Sequence, residues 1–312
     1  MISVVVPMRD EEESVAQLYA ELCGALDPLA DGWELVAVDD GSADGTFAAL
    51  AALHEAHPNV RVVRLRRNQG KAAALDAGFA EAGGDVVVTI DGDLQDDPAE
   101  IPGLLAALDD GYDLVCGWKT DRQDPLTRRL PSRVFNGIVG RVSGVRLHDM
   151  NCGLKAMRAE VADELRLYGE LHRFVPVLAH DRGFRITETP VNHRPRPHGR
   201  SRYGMERYLR GFLDLLTVSF MSRYRRRPLH LFGGAGVVLA MVGFVILAYL
   251  TVVKLSGSAI GGRPLLTLGV LLVVVGIQLL SLGLISELTT RDSIEAARAG
   301  GRTDRLVDEV LR

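Results

Sequence analysis

The chain has 312 residues, 36 lysines and arginines against 40 aspartates and glutamates, and a formal charge of −4 at pH 7. Three cysteines, Cys23, Cys116 and Cys152, neither even in number nor paired in spacing, exclude a disulfide framework and a cysteine-built zinc site. The small net charge hides a division, because acids concentrate before residue 115 while arginines gather between Arg122 and Arg146 and between Arg194 and Arg227. The basic part suits an anionic lipid surface. It lacks the aromatic spacing of a base-stacking surface and runs into an apolar segment, which argues against nucleic acid as a partner.

In chain order, Ile2 to Pro7 is a continuous apolar, β-branched run and predicts a first strand. Asp10 with Glu13 reads as a capping box opening a helix whose Val15, Leu18, Tyr19, Leu22 and Leu26 share one face. Further short apolar strands are expected at Glu34 to Val38, Val60 to Leu65, Asp85 to Ile90 and Asp113 to Cys116. Helical stretches separate them at Phe47 to Ala56, Ala72 to Ala82 and Ala99 to Leu108. Such alternation predicts an α/β domain with a mostly parallel sheet covered by helices, long enough to hold one large core.

Two amphipathic stretches follow. Between Pro131 and Ser143 the residues Val134, Phe135, Ile138, Val139 and Val142 form a stripe opposite Arg133 and Arg141, and Met205 to Met221 carries Tyr208, Leu209, Phe212, Leu213 and Leu216. Flanking basic residues make both interfacial-helix candidates, with core packing as the alternative.

Two uncharged runs, Leu229 to Val253 and Leu265 to Ser286, each exceed the roughly 20 residues an α-helix needs to cross a hydrocarbon core. Arg223, Arg225, Arg226 and Arg227 before the first outweigh Lys254 and Arg263 in the connecting loop, which favours a cytoplasmic N-terminal region and, after two crossings, a cytoplasmic tail in the inner membrane. The N-terminus does not read as a signal peptide, since acids follow from Asp10 to Glu13. Gly269, Gly276 and Gly283 recur every seven residues, as do Gly236 and Gly243, so close helix contact is expected between the spans or between subunits of a dimer or tetramer. The expected organisation is residues 1–204 as the α/β domain with the 131–143 helix inside it, 205–227 as a juxtamembrane helix with a basic stop, 228–290 as two transmembrane helices, and 291–312 as a tail.

Ligands of such sheets bind beyond the carboxyl ends of strands, where Asp39-Asp40 and Asp91-Gly92-Asp93 both fall. Two carboxylates separated by glycine grip a hard divalent cation that also binds phosphate oxygens, so Mg2+ or Mn2+ is the expected cofactor. Acid-Gly-acid is also common in turns, but Gln95 and Asp96 just beyond and the separate acid pair strengthen the metal reading. Neither a GxGxxG fingerprint nor a P-loop is present.

Taken together, Val6-Pro7-Met8-Arg9-Asp10-Glu11, Val38-Asp39-Asp40-Gly41-Ser42, Arg67-Asn68-Gln69-Gly70-Lys71, Asp91-Gly92-Asp93-Leu94-Gln95-Asp96-Asp97-Pro98 and His148-Asp149-Met150-Asn151-Cys152-Gly153 resemble, in this order and over essentially the whole chain, the family 2 glycosyltransferases that act on polyprenyl phosphates. The resemblance implies a GT-A fold, Rossmann-like, and inverting transfer of one sugar from a nucleotide-sugar to undecaprenyl or another polyprenyl phosphate. It implies donor contacts from Pro7, Arg9, Glu11, Asp39, Asp40, Lys71, Asp91 and Gly92, a metal site of Asp91, Asp93 and Gln95, and a catalytic centre with Asp93 and Asp149. Asp149 would accept a proton, orient the acceptor or contact the sugar, or else cap the turn at Asn151 to Gly153. An anionic acceptor beside an anionic donor calls for cations, and the candidates are Lys119, Arg129, Ser132, Arg133, Arg200 and Arg202. UDP-glucose is the favoured donor because Leu171 to Pro176 and Asn192-His193-Arg194 resemble glucosyl-type members, with GDP-mannose and modified UDP-sugars as the alternatives. A processive synthase is disfavoured because no QxxRW motif occurs and the tryptophans are Trp33 and Trp118. A catalytically silent scaffold is disfavoured by the intact acids.

Overall fold

The short β-branched runs form strands, as their pattern predicts. The computed structural model describes residues 1–29, 32–120, 137, 140, 143–194, 228–257, 259–261, 264–299 and 307–311. Strands β1 (Ile2–Met8), β2 (Trp33–Asp39), β3 (Val60–Leu65), β4 (Val86–Thr89), β5 (Leu114–Lys119), β6 (Lys155–Arg158), β7 (Ile186–Val191) and β8 (Val307–Leu311) make one sheet in the order β7-β5-β6-β4-β1-β2-β3-β8. The pairs β1–β2, β1–β4, β2–β3 and β5–β7 are parallel, while β4–β6, β5–β6 and β3–β8 are antiparallel. Val4, Val5, Val6, Val36, Ala37 and Val38 are inaccessible on both faces of the sheet, as expected of central parallel strands covered by helices.

The helices of this region are α1 (Val15–Leu26), α2 (Thr46–Ala56), α3 (Lys71–Glu81), α4 (Ile101–Asp109), α5 (Ala159–Glu164) and α6 (Val175–His180). In α1 the five residues expected on one face, Val15, Leu18, Tyr19, Leu22 and Leu26, are the buried ones, packed with Val4, Val6 and Leu104. The capping box is not formed. Ser14 is the N-cap, without a side-chain cap bond, and Asp10 sits in the left-handed region at φ 54° with its carboxylate accepting the Ala43 amide at 2.8 Å. A side chain that sequence spacing assigns to helix capping is thus drawn away to hold a neighbouring loop.

The chain divides into two compact units, Met1–Val218 with Arg302–Arg312, and Ser219–Gly301. Residues 291–312, read from the sequence as a tail, instead continue a helix to Ala299 and end in β8, which covers the outer edge of β3 with Val63 opposite Val310. An uncovered parallel edge would offer unpaired amides to another chain. The stretches 131–143 and 205–221, read as interfacial helices, lie almost wholly outside the described residues.

In the second unit α7 (Pro228–Leu255) and α8 (Pro264–Ala299) pack together. Their segments Phe232–Leu255 and Pro264–Ser286 are long and apolar enough to cross a membrane. Val238, Met241, Phe244, Val252, Leu271 and Ile285 are among the large apolar side chains left more than half exposed, an arrangement suited to lipid and costly in water. The two glycine stripes meet each other within the chain. A Cβ built on Gly276 would lie 2.6 Å from the Gly236 carbonyl oxygen, and one on Gly243 would lie 2.7 Å from that of Gly269. The contact partner of each is backbone, which cannot yield, so no second subunit is needed to account for the stripes.

Replacing Gly276 with leucine should therefore cost about 1–3 kcal/mol or more by overpacking. Gly234→Ala, at a position where an added Cβ meets nothing within 4 Å, should be nearly neutral. Thermal unfolding of the purified protein in detergent distinguishes the two.

Candidate active site

Strand direction decides where the motifs meet. β1, β2, β4, β5 and β7 point their carboxyl ends to one edge of the sheet, and β6, running the other way, begins there. That edge therefore receives Arg9 to Glu11 after β1, Asp39-Asp40 at the end of β2, Asp91 to Asp97 after β4, Lys119 ending β5, Asp149 to Gly153 before β6 and Asn192 to Arg194 after β7. β3 and β4 lie on opposite sides of β1–β2, so the chain reverses direction across the sheet here, the usual place for a ligand crevice.

The first half of the edge is laced by backbone-to-side-chain bonds. Asp10 donates its amide to Ser42 Oγ at 3.0 Å, Glu11 its amide to Thr46 Oγ1 at 2.9 Å, and Gly45 its amide to Glu12 at 2.6 Å. Pro7, one residue before the end of β1, is partly buried, Arg9 is exposed, and Glu11 accepts from Ser14 Oγ at 3.3 Å. Asp39 is fully buried. One of its oxygens accepts the Ser42 amide at 3.0 Å; the other has no hydrogen-bond partner and lies 3.8 Å from Arg64 Nε. Asp40 instead uses both oxygens to accept the amides of Gln69 at 2.6 Å and Gly70 at 3.0 Å, and burial raises its pKa. Its carboxylate fastens the loop that leads to Lys71. Gly41 is required beside it, since φ is +65° and a Cβ would fall 2.6 Å from the Arg67 backbone.

Lys71 opens α3 and places its ammonium 2.5 Å from Asp91. Burial opposes its charge, but Asp91, Asp96 and Asp93 outweigh that and raise its pKa. Asp93 accepts the Gln95 amide at 3.2 Å across Leu94, a buried residue held at φ 60°. A non-glycine residue in the left-handed region is strained, and such strain concentrates at functional turns. Asp149, 1% exposed, accepts the Asn151 amide at 3.2 Å, so it does cap its turn. Gly153 brings that turn against the acids: a Cβ there would lie 2.6 Å from the Asp91 carboxyl carbon.

Lys119 is not left free for an acceptor. It pairs at 2.7 Å with Asp96, which is 1% exposed, while His193 Nδ1 stands 3.6 Å from the same carboxylate oxygen. Burial opposes ionisation of Asp96, yet the facing His193 and Lys119 prevail and hold its pKa well below the usual carboxylate range. Asn192-His193-Arg194 also grips this turn, because Arg194 donates its amide to the Gln95 carbonyl at 2.8 Å and its guanidinium meets Asp97 at 2.6 Å and Glu21 at 2.8 Å. These residues, taken from the sequence as marks of donor type, thus anchor the Asp93–Asp97 turn. Arg129, Ser132, Arg133, Arg200 and Arg202 lie outside the described residues.

Sequence reasoning missed a notch on the α3 side of the sheet, below Asp91. Lys71, Thr89, Asn151, Lys155 and His172 line it together with Asp91. Burial, followed by the positive charges of Lys71, Arg173 and Lys155, pushes the His172 imidazole down to about 2, so the ring is neutral at physiological pH. The available signal was register: Lys155 lies directly opposite Thr89 across β4–β6, which aims both to the same face.

Could these residues hold a divalent cation? Among the described residues no three His, Cys, Asp or Glu side chains cluster as a ready-made cage. Asp91, Asp93 and Gln95 offer hard oxygen donors from a single turn, the pattern of an ion held by one or two carboxylates and completed by substrate phosphates and water. The set fits Mg2+ or Mn2+ bound together with a diphosphate.

The sequence model of glycosyl transferase family 2 matches residues 3–166. The chain is 41% identical over 296 residues to the dodecaprenyl-phosphate galacturonate synthase of Rhizobium johnstonii, covering 93% of this chain and 88% of that protein. It is 39% identical over 290 residues to the undecaprenyl-phosphate 4-deoxy-4-formamido-L-arabinose transferase of Pseudomonas aeruginosa, covering 92% and 84%. Among solved structures, glucosyl-3-phosphoglycerate synthase from Mycobacterium tuberculosis superimposes with a TM-score of 0.53 in complex with uridine diphosphate, at 22% identity over 71% of this chain and 79% of that one. With Mn2+, uridine diphosphate and phosphoglyceric acid the TM-score is 0.54, at 22% identity over 71% and 78%. At that identity the likeness establishes the GT-A fold. The chain belongs to glycosyl transferase family 2 and is a glycosyltransferase.

The buried Asp96–Lys119 pair makes a test of the turn's anchoring. Lys119→Met would strand a carboxylate inside the protein and should cost about 3–5 kcal/mol, whereas adding Asp96→Asn to it should restore much of the loss. Thermal denaturation of the single and double variants reads the difference.

Proposed function

We propose that the protein transfers one sugar from a uridine-diphosphate sugar to a polyprenyl phosphate at the cytoplasmic face of the inner membrane. The observation that carries this reading is the meeting, at one sheet edge, of the strained Asp91–Asp97 turn with Asp39, whose second carboxylate oxygen accepts no hydrogen bond and lies 3.8 Å from Arg64. Support comes from the names of the two relatives above, each of which includes a polyprenyl phosphate and a sugar, and from the two helices fit to cross a membrane. The arginine run at 223–227 favours the cytoplasmic side for the catalytic region.

Pro7, Arg9, Glu11 and Asp39 would then line the nucleoside end, and Asp91, Asp93 and Gln95 would hold Mg2+ or Mn2+ at the diphosphate. When bound, that ion neutralises charge on the departing diphosphate. Lys71, already placed against Asp91, adds a second positive charge on the same side. The attacking atom is an oxygen of the lipid phosphate, whose second pKa is near 6, so the group is largely ionised and needs no strong base. Asp149, held by its own turn, orients the incoming phosphate. Direct displacement at the anomeric carbon inverts its configuration. Arg129, Ser132, Arg133, Arg200 and Arg202 remain the candidates to receive the acceptor phosphate.

Glucose and mannose, expected from motif resemblance, are not the sugars named by the two relatives above, which are galacturonate and 4-deoxy-4-formamido-L-arabinose.

Membranes containing the protein, given undecaprenyl phosphate and radiolabelled UDP-sugars, should yield a lipid-linked sugar. Product should vanish on chelation of divalent ions, and Asp93→Asn should lower the rate roughly a hundredfold or more. Wild-type rates after either change would overturn the reading.

A further inference from the structure

Lys155 presents an electrostatic imbalance. Its side chain is 5% exposed, yet its Nζ bonds to one partner, the Cys152 carbonyl oxygen. Among the described residues no carboxylate lies within ion-pairing distance of it. Two other lysines of the edge, both partly exposed, are neutralised, Lys71 by Asp91 and Lys119 by Asp96. A buried ammonium with two unused donors and no counter-ion is costly unless something brings an anion to it.

The surroundings specify that anion. Lys155 faces the notch beneath Asp91, together with Thr89 and with His172, whose Nδ1 is buried without a hydrogen-bond partner. The notch is about 20 Å³ and opens toward solvent on one side, room for a small group such as a carboxylate at the end of a larger ligand. A water would satisfy hydrogen bonds but leave the charge unbalanced. Because Asp91 forms one wall, a group in the notch belongs to a ligand that also reaches the diphosphate end of the site.

We infer that the notch receives the carboxylate of a uronic acid carried as the sugar of the nucleotide donor, with Lys155 Nζ as its counter-ion and His172 Nδ1–H as a second donor. This rests on the donor reading above and extends it to a substrate class. Lys155 and His172 are thereby specificity-determining residues, distinct from the acids that hold the diphosphate. Neutral hexoses would leave the ammonium uncompensated, so selectivity follows from the charge the pocket lacks.

The test compares UDP-glucuronate and UDP-galacturonate with UDP-glucose and UDP-galactose, using full-length protein in detergent. Donor binding is measured by calorimetry, and transfer to undecaprenyl phosphate is measured separately. The wild type should bind at least one uronate roughly 10- to 100-fold more tightly than the matching hexose, and Lys155→Met should collapse that ratio toward one. Without donor, Lys155→Met should melt at or above the wild-type temperature, because it removes an uncompensated buried charge at similar volume. Equal binding of acid and neutral sugars by the wild type would overturn the inference, as would a Lys155→Met protein that melts lower with its donor ratio unchanged, for then the lysine only ties the Cys152 turn. If a uronate binds selectively but no donor yields lipid-linked product, the inference stands and the polyprenyl-phosphate reading falls. Efficient transfer from UDP-glucose with no uronate preference sinks the inference and leaves that reading in place.

Discussion

Carboxylates crowded at one edge of a sheet repel one another, and burial makes the repulsion stronger by removing water. This constraint organises the site. Asp91 lies against Lys71, Asp96 is clasped between Lys119 and His193, Asp40 is surrounded by backbone amides, and Asp97 meets Arg194. Each acid is compensated by a group from a different segment, so the loops after five strands are tied to one another. The same electrostatics leaves two signs of unfinished business: an oxygen of Asp39 that accepts no hydrogen bond and an ammonium on Lys155 with no carboxylate in ion-pairing range among the described residues.

The acids therefore fall into two kinds that look alike on paper. Asp40 and Asp96 serve the architecture, since both oxygens of the first hold the 69–70 loop and the second is sealed in an ion pair. Asp91 and Asp93 stand partly exposed on a strained turn, their carboxylates within reach of solvent. Compact turns need such fixing, because ligands held by a single turn are useful only if their spacing survives the loss and return of the ion.

A second division runs through the unit of two long apolar helices. Apolar composition makes α7 and α8 compatible with lipid, but lipid gives the helices no hydrophobic reason to associate. Association falls to shape, and the glycines at 236, 243, 269 and 276 remove the side chains that would hold the backbones apart. The outward faces carry large apolar side chains, which is the inverse of a soluble helix pair.

Much of this was legible in the chain itself because it depends on neighbours in sequence. Alternation of β-branched runs with helical faces gave the strands and the buried stripe of α1, twenty-odd uncharged residues gave each long apolar helix, and Asp91-Gly92-Asp93 marked a turn after β4. What depended on distant partners was not legible. Asp10 reads as a cap until Ala43 claims its carboxylate, Lys119 reads as a phosphate ligand until Asp96 claims its ammonium, and Val307 to Leu311 read as a tail until β3 offers an edge. Periodicity is a property of the local backbone, fixed by 3.6 and 2 residues per repeat, so sequence alone determined the elements and the chemical types on them. Which charge meets which is set by strand order and register, and only the folded sheet decided that Asp96 is neutralised, Asp91 is partly exposed and Lys155 bonds a carbonyl and no carboxylate.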